Sequence, residues 1–217
     1  YFRQVLIMDW KEHWQNKPER FNNIDFYRQV GKTVSGIPIS DYQFQLIISD
    51  LNNSLNFKSN DIILDLCCGN GIISSEISNY CHRLVGVDFS EPLIDIARKY
   101  NNPSNVEYLQ MSILDRRIEN IKYKPFNKVY MYEALQHFAE EEFEQILELI
   151  LRISTRNVKI FIGSIPDVKR LWYFYDTPER KSEYYQRKSE NREAIGTWWD
   201  QNYIEFVCKK IGIPCTF

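Results

Sequence analysis

The sequence predicts an α/β fold, a doubly wound, mostly parallel sheet with helices on both faces. Three observations predict it. Short apolar runs at 61–66, 83–88, 106–110, 128–132 and 158–163 have the length and composition of buried strands. One helical stretch precedes them, at 41–56, and others fall between most of them, at 71–79, 90–100 and 139–153. Polar and glycine residues gather where the strand runs end, which is where such sheets bind ligands.

Taken in order, residues 9–30 are polar-aromatic and helix-like, with Trp10 and Trp14 four apart on one face. Gly31, Gly36 and Pro38 break that pattern. The 41–56 helix carries Phe44, Ile47, Ile48, Leu51 and Leu55 on one stripe. The run 61–66 is the first strand of the sheet and 83–88, "RLVGVD", the second. Ser90 is a good N-cap for the helix ending at Tyr100, with Glu91 and Pro92 in its first turn. Val106–Gln110, Lys128–Tyr132 and Val158–Gly163 follow as strands. The 139–153 helix is acidic at its start and apolar along Phe143, Ile146, Leu147, Ile150 and Leu151. Residues 164–199 hold no clear strand, a helix runs from Asp200 to Lys210, and Pro214–Phe217 reads as the start of another strand.

The 217 residues suffice for one large domain, 44% hydrophobic by a broad count, with no repeat or low-complexity tract. A net charge of -2 argues against a protein built mainly to coat nucleic acid. No apolar run reaches membrane-span length and no signal-peptide pattern opens the chain, which starts at Tyr1. The five cysteines (Cys67, Cys68, Cys81, Cys208 and Cys215) match neither a zinc nor a secreted disulfide spacing, so no metal is expected and a reducing cytoplasm is the plain inference.

The strand ends set the chemistry of the pocket. The first ends in "LDLCCGNG", the second in Asp88, the third in Met111-Ser112-Ile113, and the fourth in Tyr132-Glu133 with His137 beyond. A carboxylate closing the second strand can accept hydrogen bonds from both hydroxyls of a ribose, which points to a nucleoside cofactor. Asp65 argues against a dinucleotide, because it would repel a pyrophosphate over the first loop, and Ser74 stands where the third glycine of G-x-G-x-x-G belongs. S-adenosylmethionine, with an ammonium, a sulfonium and a ribose diol, suits both carboxylates.

Those segments resemble the class I S-adenosylmethionine-dependent methyltransferases. "DIILDLCCGNGIIS" is similar to that family's first motif in its LCCG form, "LVGVDFS" to its second, "VEYLQMSILD" to its adenine-contacting segment, and "FNKVYMYEALQHF" to its fourth strand and following turn. The likeness spans about residues 40–163 and implies a Rossmann-like core of the class I methyltransferase architecture. It further implies that Asp65, Gly69 and Gly71 surround the methionine portion, with Cys67 in the slot of the usual first glycine. Asp88 would bind the ribose hydroxyls, Phe89 would pack on the adenine, and Ser112 and the Ile113 backbone would flank the adenine amino group. Tyr132 would sit near the transferred methyl, and His137 would be the general base. N-terminal helices of this family close over the cofactor, which makes Trp10, Trp14, His13, Tyr27 and Arg28 lid candidates, with Arg28 reaching the cofactor carboxylate. The organisation expected is therefore a helical lid at 1–40, a cofactor-binding core at 41–163, a substrate-cap insert at 164–199, and at 200–217 a helix with the start of a final strand pair.

Plainer roles stand beside each of these. Cys67 and Cys68 can be small packing residues in a tight turn, Asp88 can cap the following helix, and His137 can simply hold its turn. The stretch 169–192 carries seven Lys/Arg against four Asp/Glu with aromatics interleaved. It reads as a solvated helix pair, as a cap that stacks on a ring and recognises an anionic group, or as a single-stranded RNA surface. The expected function is methyl transfer from S-adenosylmethionine to a small-molecule acceptor, a hydroxyl of a sugar, natural product or phosphorylated metabolite, leaving S-adenosylhomocysteine. The alternatives are an RNA or protein methyltransferase docking through the insert, and a non-catalytic cofactor-binding domain. Membrane and nucleic-acid partners are not expected, and the oligomeric state stays open.

Overall fold

The computed structural model describes residues 10–190 and 192–217. Where the sequence suggested one N-terminal helical region, the backbone forms α1 (Trp10–Asn16), a 3-10 turn at Pro18–Arg20 and α2 (Phe26–Gln29). Pro18 can start a turn but cannot sit inside a helix, so the region breaks there. A small hairpin follows, β1 (Thr33–Val34) and β2 (Ile37–Pro38). Its central residues Ser35 and Gly36 have φ of 51° and 77°, the left-handed pair that tight hairpins require. The part of the lid expectation that falls on residues 1–9 lies outside the described residues.

The core then alternates as expected, through α3 (Asp41–Leu55), β3 (Ile62–Leu66), α4 (Ile72–Ile77), β4 (Arg83–Asp88), α5 (Glu91–Tyr100), β5 (Val106–Gln110), β6 (Phe126–Tyr132), α6 (Glu140–Ile153) and β7 (Ser154–Gly163). Local chemistry fixes the helix starts. Ser40 and Gln43 form a reciprocal capping box on α3, and the Ser90 side chain accepts from the Leu93 N–H on α5. The five long strands pair in the order β5-β4-β3-β6-β7, all parallel. The chain therefore winds outward in both directions from β3, and the crevice between the carboxyl ends of β3 and β6 is the switch point.

Side-chain alternation gives the sheet two buried faces. Leu64, Leu66, Val87 and Met131 face α6 through Phe143, Ile146 and Ile150, while Ile63, Leu84 and Tyr130 face α3 and α5 through Phe44, Leu51 and Ile94. Beyond β7 the segment 164–199 folds into α7 (Leu171–Phe174) and α8 (Pro178–Ser189), around a small cluster of Leu171, Tyr175 and Tyr184. Next comes α9 (Gln201–Lys210), capped by Asp200. The strand expected at 214–217 does not form. Edge strand β7 pairs only with β6 among the described residues, so no neighbour organises the tail. No helix among those residues is long and apolar enough to cross a membrane.

Candidate functional site

A cavity opens at the switch point, walled by the loop after β3, the ends of β4 and β6, and the N-terminal segment. Its first wall is the loop Cys67–Gly71. Cys67 and Gly69 both adopt left-handed backbone, with φ of 61° and 56°, and the Cys68 N–H donates to the Val87 carbonyl at 3.0 Å. These turns bring the Gly69 N–H onto the Asp88 carboxylate at 2.9 Å. A Cβ on Gly69 would stand 2.9 Å from Val30 Cγ1, so only glycine lets the N-terminal segment lie this close.

Asp88 ends β4, buried and in the cavity wall. One carboxylate oxygen accepts from Gly69 and the other from the Ser90 N–H at 2.8 Å. The carboxylate keeps acceptor capacity for a ligand hydroxyl. Burial pushes the carboxyl up to about 6, against the pull of the Ser90, Gly69 and Phe89 N–H groups. Phe89 also lines the wall, its carbonyl held by the amides of Gln15 (3.3 Å) and Gln110 (2.9 Å).

Cys67 and Cys68 both line the cavity, but burial and then the neighbouring carboxylates raise each thiol well above its ordinary value. Neither is an activated nucleophile. Among the described residues no group of three His, Cys, Asp or Glu is placed to hold a metal.

Several expected site residues are not brought into the cavity wall. Asp65 alternates onto the face under α4, where the Ser74 and Tyr130 hydroxyls donate to it at 2.5 and 2.8 Å. Burial there pushes its carboxyl up to about 7. Gly71 has φ of 74° and caps α4, with its carbonyl accepting from the Tyr108 hydroxyl at 3.2 Å. A Cβ on Gly71 would collide with that hydroxyl, so helix–strand packing requires the glycine. Ser112 accepts from the Leu114 N–H and Ile113 is buried in the core, because the chain turns down into the sheet after β5. Arg28 is drawn aside into an ion pair with Asp25 at 2.8 Å.

The cation that does reach the cavity is Lys32, which the sequence reading passed over. Its side chain is 5% exposed, its ammonium lies 2.5 Å from Glu133, and it sits 4.8 Å from the Tyr132 ring centroid. Its only signal in sequence was a lone lysine beside Gly31, ahead of a turn. Tyr132 lines the same wall, its hydroxyl pushed up to about 12 by burial and then by Glu133 and Asp50.

His137 closes the far end. It rests against Trp10 and Trp14, at ring centroid distances of 4.3 and 5.5 Å, and both its ring nitrogens are buried without a hydrogen-bond partner among the described residues. Burial, then the charges of His13 and Lys17, lower it to about 4, so it is neutral at pH 7. The N-terminal segment covers the site through Trp14, Val30 and Lys32, and is pinned by Ser90 on the Trp14 carbonyl (2.9 Å) and Asn70 on the Phe26 carbonyl (2.9 Å). His13, Tyr27 and Arg28 do not line it. No described residue of 164–199 lines it either, although Thr197 hydrogen-bonds the Gln136 and Phe138 carbonyls on either side of His137.

Residues 63–157 match the family model of a methyltransferase domain. An uncharacterised methyltransferase of Schizosaccharomyces pombe is 28% identical over 140 residues, 59% of this chain and 49% of that protein. A ubiquinone biosynthesis O-methyltransferase of Rickettsia bellii is 24% identical over 73% of this chain and 65% of its own. The chain thus spans half or less of the length of the two Schizosaccharomyces pombe methyltransferases it matches. Among solved structures, the cyclopropane synthase MmaA2 of Mycobacterium tuberculosis superposes with a TM-score of 0.67 at 12% identity, covering 95% of this chain and 75% of that one. DhpI, solved in complex with SAM and HEP, gives 0.56 at 18% identity, covering 78% and 70%. These likenesses establish the fold.

Proposed function

We propose that this chain, a member of the class I S-adenosylmethionine-dependent methyltransferases, moves a methyl group onto the hydroxyl of a small molecule held between Tyr132 and His137. One observation carries the reading. One cavity has a buried carboxylate, Asp88, at one end and at the other a neutral histidine whose two ring nitrogens have no partner among the described residues.

The residues present suit the cofactor. Asp88 keeps acceptor capacity for a ribose hydroxyl, Gly69 leaves room beside it, and Phe89 offers a ring for a base. When bound, the cofactor supplies an electrophilic methyl on a sulfonium, and S-adenosylhomocysteine is the leaving group. Lys32, Asp88 and Glu133 in the wall give a formal charge near -1, which favours a ligand of net positive charge over a dinucleotide.

His137 accepts the acceptor's hydroxyl proton as the oxygen bonds to the methyl carbon. Its neutrality leaves a nitrogen lone pair free, and its apolar setting keeps water from competing for it. Tyr132 stays protonated and orients the acceptor by donating its O–H. Positioning supplies the rest of the rate. Residues 10–38 act as the lid over a 41–163 core, and the 164–199 insert supports the acceptor end by holding the backbone around His137.

Turnover of S-adenosylmethionine with a panel of hydroxylated metabolites tests this. Any transfer removes the non-catalytic alternative, while calorimetry with S-adenosylhomocysteine tests the cofactor separately. A second reading, RNA as acceptor, draws on Tyr173 and Tyr185, exposed at 84% and 60%, and on Lys181 of α8 over the Trp172 ring. A steep loss of RNA binding with added salt would favour it.

A further inference from the structure

Resting on the methyl-transfer reading, we propose that the acceptor is a catechol, a phenol with a second hydroxyl on the neighbouring ring carbon, and that Trp14 selects it by donating its indole N–H to that second oxygen.

The polar atoms at the acceptor end carry the assignment. Trp14 and His137 both line the cavity, and their rings meet edge to face, with centroids 5.5 Å apart at 71°. The Trp14 Nε1 and both His137 nitrogens are buried, and among the described residues none has a hydrogen-bond partner. An indole N–H can only donate, and a neutral imidazole has one nitrogen that accepts. The acceptor end therefore holds one atom able to take a proton and, on the neighbouring ring, an N–H in need of an oxygen. Two oxygens on adjacent carbons, one reacting and one not, match that pair. The phenol oxygen bonds to the methyl carbon as the sulfur–methyl bond breaks, its proton passes to His137, and the second oxygen stays on Trp14.

The rest of the wall disfavours other hydroxyls. Beside His137 it is made by Tyr132, Ala134 and Phe138. The polar side chains further along are engaged, Asn70 with the Phe26 carbonyl and Gln29, and Lys32 with Glu133. A sugar would bury several hydroxyls there with few partners, each at a cost. A phosphorylated acceptor would meet the carboxylates of Glu133 and Asp88 against one ammonium that is already paired. A flat ring needs no such partners, and it packs offset or edge-on against aromatic side chains. Acidity points the same way. Burial, then the charges of His13 and Lys17, make His137 a weak base, titrating at about 4. A phenol, at about 10 like tyrosine, yields its proton to a weak base more readily than an alkyl hydroxyl, which is close to water at about 16.

Three probes test this, catechol, phenol and trans-1,2-cyclohexanediol, which keeps the paired oxygens and lacks the flat, acidic ring. Calorimetry measures their binding to the full chain saturated with S-adenosylhomocysteine, and methyl transfer from S-adenosylmethionine is followed for each. Wild type should bind catechol about 2- to 10-fold more tightly than phenol, the worth of one neutral hydrogen bond, and should methylate catechol but not the diol. Trp14→Phe keeps a ring in the wall and removes the donor, so the ratio of catechol to phenol affinity should fall to about one. An unchanged ratio in that variant overturns the role of Trp14. Should the variant bind neither ligand, wild type alone decides. Equal affinity for catechol and phenol, or transfer to the diol or to a sugar in place of catechol, overturns the proposal and leaves methyl transfer to a hydroxyl standing. Wild type that binds S-adenosylhomocysteine yet methylates no hydroxylated compound overturns both.

Discussion

Around Asp88 the polar atoms are supplied by backbone. The Gly69 and Ser90 amides hold the carboxylate, and Gln15 and Gln110 hold the Phe89 carbonyl next to it. Around His137 the neighbours are side chains, with the Trp10 and Trp14 rings against it and Trp14 and Tyr132 in the cavity wall, and the histidine's own nitrogens have no partner among the described residues. A site preformed by backbone binds an invariant ligand with little reorganisation, whereas unpartnered side chains in an apolar pocket wait for a ligand to satisfy them. The difference assigns the nucleoside to one end and the acceptor to the other.

The largest effect expected from that division is at His137. His137→Gln should cut turnover about 10²- to 10⁴-fold, the range of a general base, with S-adenosylhomocysteine affinity unchanged. Full turnover in that variant would mean an acceptor that needs no base, and would reduce His137 to holding its turn. At the other end, Asp88→Asn should lower S-adenosylhomocysteine affinity about 10- to 100-fold by calorimetry, since the amide can accept from a ribose hydroxyl with only one of its two heavy atoms. If the two variants have interchangeable effects, the division between the ends is wrong.

Protons offer a gentler probe. The Asp88 carboxyl titrates at about 6, and a ribose diol favours its ionised form. Affinity for S-adenosylhomocysteine should hold above that value and fall about tenfold per pH unit below it. In Asp88→Asn the slope should vanish. A slope that persists would place the titrating group elsewhere.

How far this was legible in the sequence follows from what kind of signal each part leaves. All five parallel strands and the helices between them were readable, because burial on a twisted sheet imposes apolar runs and caps that are local. Asp88, Gly69, Phe89, Tyr132 and His137 were readable as cavity residues because they sit within a few positions of strand ends. Lys32 was not, since its place depends on a Ser35–Gly36 hairpin folding a distant segment over the loop. Nor were the actual partners of Asp65, whose motif position suggests a ligand while strand parity sends it to the other face.

That carboxylate supplies the smallest expected effect. Asp65 folds with a pKa of about 7, raised by burial above its ordinary value of 3.8, with the Ser74 and Tyr130 hydroxyls pulling it back down. A raised carboxylate binds its proton more tightly when folded, so its contribution to stability is complete below about pH 4 and is lost as pH rises through 7. Ser74→Ala removes a donor that favours the ionised form. It should therefore cost about 1.5–3 kcal/mol at pH 8, where a charged hydrogen bond is lost, but only about 0.5–1.5 kcal/mol at pH 5, where a neutral one is. Denaturant unfolding at the two pH values measures this. Because neither Ser74 nor Asp65 lines the cavity, S-adenosylhomocysteine affinity should stay within about twofold of wild type. A large loss of affinity with no change in stability would return Asp65 to the ligand and put Gly71, on the same turn, back beside it.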